Sequence, residues 1–211
     1  MKKEFPGQPE HIRDTWPGEL REFSWQDFVT AIPTPIFLVT SYKSNGRENA
    51  TLASWSTFVG NGGEFLCILG AVKKSGHLYA SLMDKRCCVL NFPSAALYGA
   101  CYKTIQNNGF DCDELTESGL AVEPAVSVNA PRARDCFLNI ECEFLWAHDQ
   151  FEGGAMAVVA LRAKHIAMDS DRYDDARLGR YGKTGYIYNI HSPRNPDTGE
   201  ESATGLGYVT R

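Results

Sequence analysis

An Asn-Gly pair at 45–46, placed between two runs of strand-forming residues, constrains the fold of this chain more than any other short feature. Asn and Gly suit the left-handed backbone positions of tight turns that join neighbouring antiparallel strands. The run before the pair is IFLVTSY at 36–42, and the run after it is RENATLASWSTF at 47–58. The sequence therefore predicts an antiparallel β-hairpin here.

Further runs of the same kind extend the hairpin into a mainly β protein. A second turn, NGG at 61–63, leads into EFLCILGAV at 64–72, so the first three strands are expected to form a meander. RCCVLNF at 86–92 is predicted to be a buried strand, and two long strands are predicted at 135–149 and 154–169. Short hairpin links favour a closed or nearly closed antiparallel barrel over a parallel α/β sheet.

Three segments between the predicted strands have sequence patterns that are typical of helices. KKSGHLYASLMDK at 73–85 offers Ser75 or Gly76 as its cap, and SAALYGACYKTI at 94–105 begins with a serine. DELTESGL at 113–120 is predicted to be a shorter helix that ends at its glycine. The barrel is therefore expected to carry two or three inserted helices.

Both ends of the chain differ from this central region. Residues 1–30 are rich in proline, glycine and charge, and LREFSWQDFVTAI at 20–32 is predicted to be either a short helix or a docking arm. The segment at 191–211, HSPRNPDTGEESATGLGYVTR, has no apolar periodicity. We therefore expect an N-terminal arm at 1–30, a single barrel domain at 31–190 and a C-terminal tail at 191–211.

Composition argues against several classes of function. A net charge of −5 gives no electrostatic basis for binding nucleic acid or an anionic membrane. No window is apolar enough for a membrane-spanning helix, and MKKEFPGQPEHIRD lacks the apolar segment of a secretion signal. Seven cysteines and five histidines show no metal-ligand or redox-pair spacing. We expect a cytoplasmic protein with reduced core thiols, no metal, and no nucleic-acid or membrane partner.

Short alcohols and amides crowd the predicted strand at 47–58, namely Asn49, Thr51, Ser54, Ser56 and Thr57. A strand that only fills a core alternates apolar and polar residues, or is apolar throughout. These alcohols either face solvent or line a ligand slot, and their grouping beside Trp55 favours the slot. Since the sequence lacks a nucleophile elbow, a Walker loop and a dinucleotide fingerprint, a cofactor is expected to supply any chemistry.

Three other places combine polar groups with alternatives that the sequence leaves open. Lys74 and Ser75, before the predicted helix, form either an anion site or an ordinary cap with solvated lysines. Asn91, at the end of a buried strand, either satisfies a turn or reaches a ligand. RYGKTGYIY at 180–188 is either a surface turn or a lid that adds a cation and aromatic surface to the site.

The order of these pieces resembles the flavin reductase-like, FMN-binding split-barrel family. PTPIFLVTSYKSNGRENATLASWSTF is similar to the family's opening hairpin, KKSGHLYASL to its cationic helix start, and CCVLNFPS to its strand ending in Asn. DELTESGLAVEPA, LNIECEFLWAHD, ALRAKHIAMD and ARLGRYGKTGYIY resemble the segments that follow. The resemblance covers residues 30–190.

The resemblance implies a homodimeric, mainly β protein, an antiparallel split β-barrel with two or three inserted helices that holds FMN, rather than FAD, near the dimer interface. It implies cofactor contacts from residues of the hairpin, the helix start and the buried strand. For the flavin they are Asn49, Thr51, Ala53, Ser54, Trp55 and Ser56; for the phosphate Lys74 and Ser75, with His77 nearby; and Asn91 for a further polar contact.

The leading hypothesis is an FMN-binding, flavin reductase-like oxidoreductase that moves electrons between NAD(P)H and flavin, or from flavin to an acceptor. Its chemistry is expected on the flavin itself, and a redox partner protein is a further expectation. One alternative is a non-catalytic flavin- or haem-binding split barrel that serves as a carrier, store or sensor. Another is a barrel whose alcohols only cover its surface.

Overall fold

The computed structural model describes residues 2–18, 23–183, 185–202 and 205–209. The chain divides into two compact units, one of Met1–Thr34 with Tyr188–Gly207 and one of Pro35–Ile187 with Tyr208–Arg211. The smaller unit thus combines residues from both chain ends, which the sequence predicts as a separate arm and tail. Parts of those predictions, at 1, 19–22, 203–204 and 210–211, lie outside the described residues.

The elements follow the predicted order. The described strands are β1 (Thr34–Pro35), β2 (Phe37–Tyr42), β3 (Glu48–Ala53), β4 (Ser56–Asn61), β5 (Glu64–Lys73), β6 (Cys87–Phe92), β7 (Val122–Pro124), β8 (Pro131–Ala133), β9 (Leu138–Asp149), β10 (Met156–Met168), β11 (Ile187–Asn189) and β12 (Leu206–Tyr208). The described α-helices are α1 (Trp25–Thr30), α2 (His77–Lys85), α3 (Tyr98–Gln106) and α4 (Glu114–Glu117). This content, with helices inserted between antiparallel strands, confirms the predicted mainly β class.

Seven strands of the larger unit form one sheet of order β3-β2-β6-β9-β10-β5-β4. The predicted hairpin is confirmed as β2 and β3, and its loop closes where the Lys43 N–H donates to the Arg47 carbonyl at 2.8 Å. Gly46 has a φ of 84°, which is the left-handed position that the loop requires. β7 and β8 pair separately as a two-stranded sheet.

The polar run at 47–58 is two strands, so the prediction of one continuous strand is wrong. Its first half, β3, pairs with β2, whereas its second half, β4, pairs with β5 at the opposite edge of the sheet. The chain changes edge at Ser54 and Trp55, where the Trp55 carbonyl accepts a hydrogen bond of 2.7 Å from the Gly70 N–H. A Cβ at Gly70 would lie 3.3 Å from that carbonyl oxygen, so glycine permits this close approach.

The two faces of the sheet have different surroundings because successive side chains on a strand point in opposite directions. Phe37 and Val39 lie in the principal apolar core with residues of β5, β6, β9 and β10. Leu38, between them, packs on the other face with Cys101 of α3 and Leu115 of α4. The helices inserted after β6 therefore cover the outside of β2 and β3.

All seven cysteines lie in the described ranges and carry unpaired thiols, six of them buried. Burial raises the pKa of Cys67 and of Cys101 to about 12. Across the described ranges, no group of three or more His, Cys, Asp or Glu side chains is arranged to hold a metal ion.

The described helices include none with the length and apolar character needed to cross a membrane.

The smaller unit is organised by a short helix and a buried histidine. α1 begins with a capping box, in which the Ser24 N–H donates to the Asp27 carboxylate at 2.9 Å, and it buries Phe28. His191 is 2% exposed, and its Nε2 lies 2.9 Å from the Thr34 hydroxyl. Burial lowers the pKa of His191, and the charge of Asp27 opposes this shift.

Candidate functional site

β3 is an edge strand, and carboxylates cover only the first part of its outer edge. The Glu48 N–H donates to Asp113 at 3.0 Å, and the Ala50 N–H donates to Glu114 at 2.8 Å. Because N–H groups of alternate residues point to the same side of an antiparallel strand, the N–H and C=O of Leu52 point to this edge as well. The edge therefore offers backbone groups from Leu52 onward, beyond the reach of these two carboxylate contacts.

Asn49 carries a buried polar atom without a partner. The side chain is 1% exposed, and its Nδ2 lies 3.4 Å from both the Ser41 and the Thr51 hydroxyl. Its Oδ1 has no hydrogen-bond partner within the described part of the chain. Hydroxyls both donate and accept hydrogen bonds. If the amide O and N were assigned the other way round, the nitrogen instead of the oxygen would therefore lack a partner. A buried polar atom left unpaired costs about 1–3 kcal/mol, which makes this amide a candidate ligand contact.

The chain corner after β3 continues the polar surface. Thr51, Ala53, Ser54, Trp55 and Ser56 are all partly buried, and the Ser56 hydroxyl donates to the Ser54 carbonyl at 3.0 Å. The structure thus brings the predicted flavin contacts of the strand together along one edge and one corner. Whether they contact flavin stays a prediction.

Lys74 and Ser75, the two predicted phosphate contacts before α2, have different surroundings. The Lys74 ammonium donates to Asp149 at 2.8 Å, and its backbone N–H donates to the Ala155 carbonyl at 2.9 Å. These bonds tie Lys74 to the β9–β10 hairpin rather than to β3. Ser75 is exposed, and Gly76 is the N-cap of α2.

His77, the first residue of α2, is linked to β3 through Glu114. Its Nδ1 lies 3.4 Å from Glu114 Oε1, while Glu114 Oε2 accepts the Ala50 N–H. The ring of His77 also packs edge-on against Phe110, with 6.0 Å between ring centroids. His77 therefore lies near the strand that carries Asn49, and its contact with a phosphate stays a prediction.

Two buried residues of this region are absent from the sequence-based prediction. The Lys43 ammonium lies 2.8 Å from Glu114 Oε1, and both side chains are 1% exposed. The ammonium also donates to the carbonyls of Gly109 and Cys112, at 2.6 and 2.8 Å. In the sequence Lys43 belongs to a polar hairpin loop and Glu114 to the first turn of a helix. Neither position signals burial in the sequence, because the ion pair joins two segments that are far apart in the chain.

Asn91 is fully engaged by the protein. Its Nδ2 donates to the Leu38 carbonyl and the Thr40 hydroxyl at 3.2 and 3.0 Å. Its Oδ1 accepts the Ala133 N–H at 2.9 Å and the Asn139 amide at 2.8 Å. Asn91 pairs with Leu38 on the face of the sheet opposite to Asn49 and Thr51. The structure therefore does not bring Asn91 together with the other predicted site residues.

The loop at 180–188 is fixed at its base by an arginine. Arg172 Nη1 donates to the Tyr181 carbonyl at 3.1 Å, and Arg180 Nη1 donates to the Arg172 carbonyl at 3.0 Å. The Arg172 guanidinium lies 4.6 Å from the centroid of the Phe137 ring. Residue 184 of this predicted lid lies outside the described residues.

The larger unit is thus an antiparallel barrel with inserted helices and a polar edge strand, and this strand carries a buried amide whose oxygen has no partner among the described residues. This combination defines a class of β-barrel that can bind a small ligand along one strand. The chain belongs to the flavin reductase like domain family, whose model matches residues 29–187. The resemblance seen in the sequence is therefore confirmed.

Solved structures share this split-barrel fold at low sequence identity. Flavoredoxin of Desulfovibrio vulgaris (Miyazaki F) is 20% identical, with a TM-score of 0.65 over 85% of this chain and 90% of its own. Nitrilotriacetate monooxygenase component B from Bacillus cereus is 15% identical, with a TM-score of 0.69 over 93% of this chain and 97% of its own. The FMN-binding protein from Thermus thermophilus with bound p-hydroxybenzaldehyde is 13% identical, with a TM-score of 0.65 over 100% of this chain and 97% of its own. No curated protein sequence matches the chain.

Proposed function

We propose that this protein binds FMN along β3 and the corner at 53–56 and that it is an oxidoreductase that uses NAD(P)H as the electron donor. Membership of the flavin reductase like domain family and structural likeness to a flavoredoxin and an FMN-binding protein support this assignment. The observation that carries it is the unpartnered, buried amide atom of Asn49 on a polar edge strand. A flavin has donors and acceptors along its pyrimidine edge that match such a strand.

The residues present fit this cofactor. The N–H and C=O of Leu52 and the amide of Asn49 would hold the polar edge of the ring, with hydroxyls of Thr51, Ser54 and Ser56 beside them. Ala53 leaves space for close approach, and Trp55 supplies aromatic surface. Bound FMN would supply the electron-transfer chemistry, and the protein would hold and orient it with fixed dipoles. Ser75 and His77 would hold the phosphate, and Lys74 would join them only by leaving Asp149.

We also propose a homodimer. Val59 of the edge strand β4 is 50% exposed, and Phe65 of β5 beside it is 36% exposed. An edge strand with apolar side chains readily associates with a second chain. Light scattering of the purified protein at micromolar concentration should give twice the mass of one chain, and the mass of one chain would reject this part of the proposal.

The test of function combines colour and turnover. The washed protein is examined by visible absorption, and NAD(P)H oxidation is then followed with and without added FMN. Oxidation that depends on FMN supports the proposal. A yellow protein that leaves NAD(P)H intact favours the non-catalytic carrier, store or sensor. A colourless protein whose melting temperature does not change with FMN rejects flavin binding.

Asn49→Ala tests the observation that carries the proposal. We expect FMN affinity to fall about tenfold or more, because a hydrogen bond in a buried site is lost. The melting temperature should change little, because half of the amide has no partner in the protein. Asn61→Ala, at the exposed end of β4, is the matched control and should bind FMN as the unmodified protein does. Equal affinity in both variants would show that Asn49 does not contact the flavin.

A further inference from the structure

The buried ion pair of Lys43 and Glu114 lies next to His77, the histidine of the candidate site. The carboxylate of Glu114 is 1% exposed and binds the equally buried Lys43 ammonium at 2.8 Å, while His77 Nδ1 lies 3.4 Å from the same Oε1. The His77 side chain is 27% exposed, so one part of the ring meets the carboxylate and another part reaches the surface. The pair is therefore placed to hold the imidazole in one orientation.

The chemistry of the pair determines which ring nitrogen is available. An ionised carboxylate only accepts hydrogen bonds, so the Nδ1 that faces Glu114 carries a hydrogen. The edge-on contact with Phe110 restrains the ring further. Among the described residues, the structure gives Nε2 of His77 no hydrogen bond. Nε2 is therefore the atom that His77 presents to a ligand.

We propose that His77 binds the phosphate of the flavin through Nε2 and that Glu114 is the positioning residue that orients it. This inference rests on the proposed function. Lys43 balances the charge of Glu114, so the carboxylate that orients His77 adds no net negative charge that would repel a phosphate. Lys74, the cation nominated for the phosphate, is bonded to Asp149. Nε2 of His77, and not the ammonium of Lys74, is thus the group placed to contact the phosphate.

The experiment compares two ligands that differ only in the phosphate. The protein is titrated with FMN and with riboflavin by fluorescence quenching, and the ratio of the two Kd values gives the preference for the phosphate. His77→Phe keeps a ring against Phe110 and removes both nitrogens. Glu114→Gln keeps the size of the side chain and removes its charge. His165→Phe on β10 and Glu117→Gln on α4 are the matched controls.

His77→Phe should lower the preference for FMN about tenfold, as the loss of one charge-assisted hydrogen bond predicts, and leave riboflavin affinity unchanged. Glu114→Gln should lower the preference in the same direction, and it should have no further effect in the His77→Phe background, since Glu114 acts through His77. The controls should keep the unmodified ratio. Melting curves identify any variant that does not fold, and His77→Phe, which leaves the buried ion pair intact, decides the outcome if Glu114→Gln unfolds.

An unchanged ratio in His77→Phe, or an equal loss for both ligands, overturns the inference while flavin binding stands. An effect of Glu114→Gln that persists in the His77→Phe background overturns the positioning role. If the unmodified protein binds neither ligand, the proposed function fails, and this inference fails with it.

Discussion

Lys43→Met breaks the buried ion pair without changing the length of the side chain greatly, and its effect on stability can be worked out from the structure. The Lys43 ammonium contacts Glu114 and two backbone carbonyls at 2.6–2.8 Å, and both charged side chains are 1% exposed. Removing one partner of a buried pair leaves the other charge uncompensated, which costs about 3–5 kcal/mol. For a chain of this size, that corresponds to a fall of about 6–20 °C in melting temperature.

The assay is urea and thermal unfolding followed by circular dichroism. The matched control is Lys85→Met, because Lys85 pairs at 2.9 Å with Asp84, whose side chain is 52% exposed. An exposed pair contributes about 0–1 kcal/mol, so this control should remain close to the unmodified protein. The double variant Lys43→Met with Glu114→Leu removes both charges, and it should lose less stability than the sum of the two single variants.

A loss below about 1 kcal/mol in Lys43→Met would refute this reasoning, because it would equal the effect expected for an exposed pair. It would also remove the rigid support that the orientation of His77 requires. A large loss in Lys43→Met together with an additive double variant would show that Lys43 and Glu114 stabilise the fold separately.

Two further predictions concern protonation and thiol access. Because burial lowers the pKa of His191 below its usual value of 6.5, the unfolded chain takes up the proton first, so the smaller unit should lose stability as the pH falls below about 6.5. Hydrogen exchange at 189–194 at pH 7.5 and pH 5.5, values on either side of about 6.5, should show this loss, and His191→Asn should reduce it; equal protection at both values would contradict it. A thiol reagent should modify only Cys112 in the native protein and all seven cysteines after denaturation, because the other six are buried. Rapid native labelling of Cys67 or Cys101, whose pKa is raised to about 12, would contradict this assignment.

Local signals in the sequence were sufficient for most elements of the barrel. The Asn45-Gly46 turn, the apolar run before it and the glycine cap of α2 each depend on residues a few positions apart, and the structure has β2, β3 and α2 where these signals predict them. The polar character of β3 was equally visible, because a crowding of short alcohols and amides is a property of neighbouring residues. The resemblance to the family then predicted that these strands, in this order, form a split β-barrel.

Only the tertiary structure decided how the polar run at 47–58 is divided into two strands and which side chains from other segments pack next to it. The separation of β3 and β4 to opposite sheet edges depends on pairing with β2 and β5, which no signal within 47–58 specifies. Asn49 and Asn91 look alike in the sequence, yet one has an unpartnered atom and the other is saturated, since their partners come from distant strands. Lys43, His77 and Glu114 meet for the same reason. Sequence patterns report local geometry, whereas burial and the pairing of charges are fixed by contacts between segments far apart in the chain.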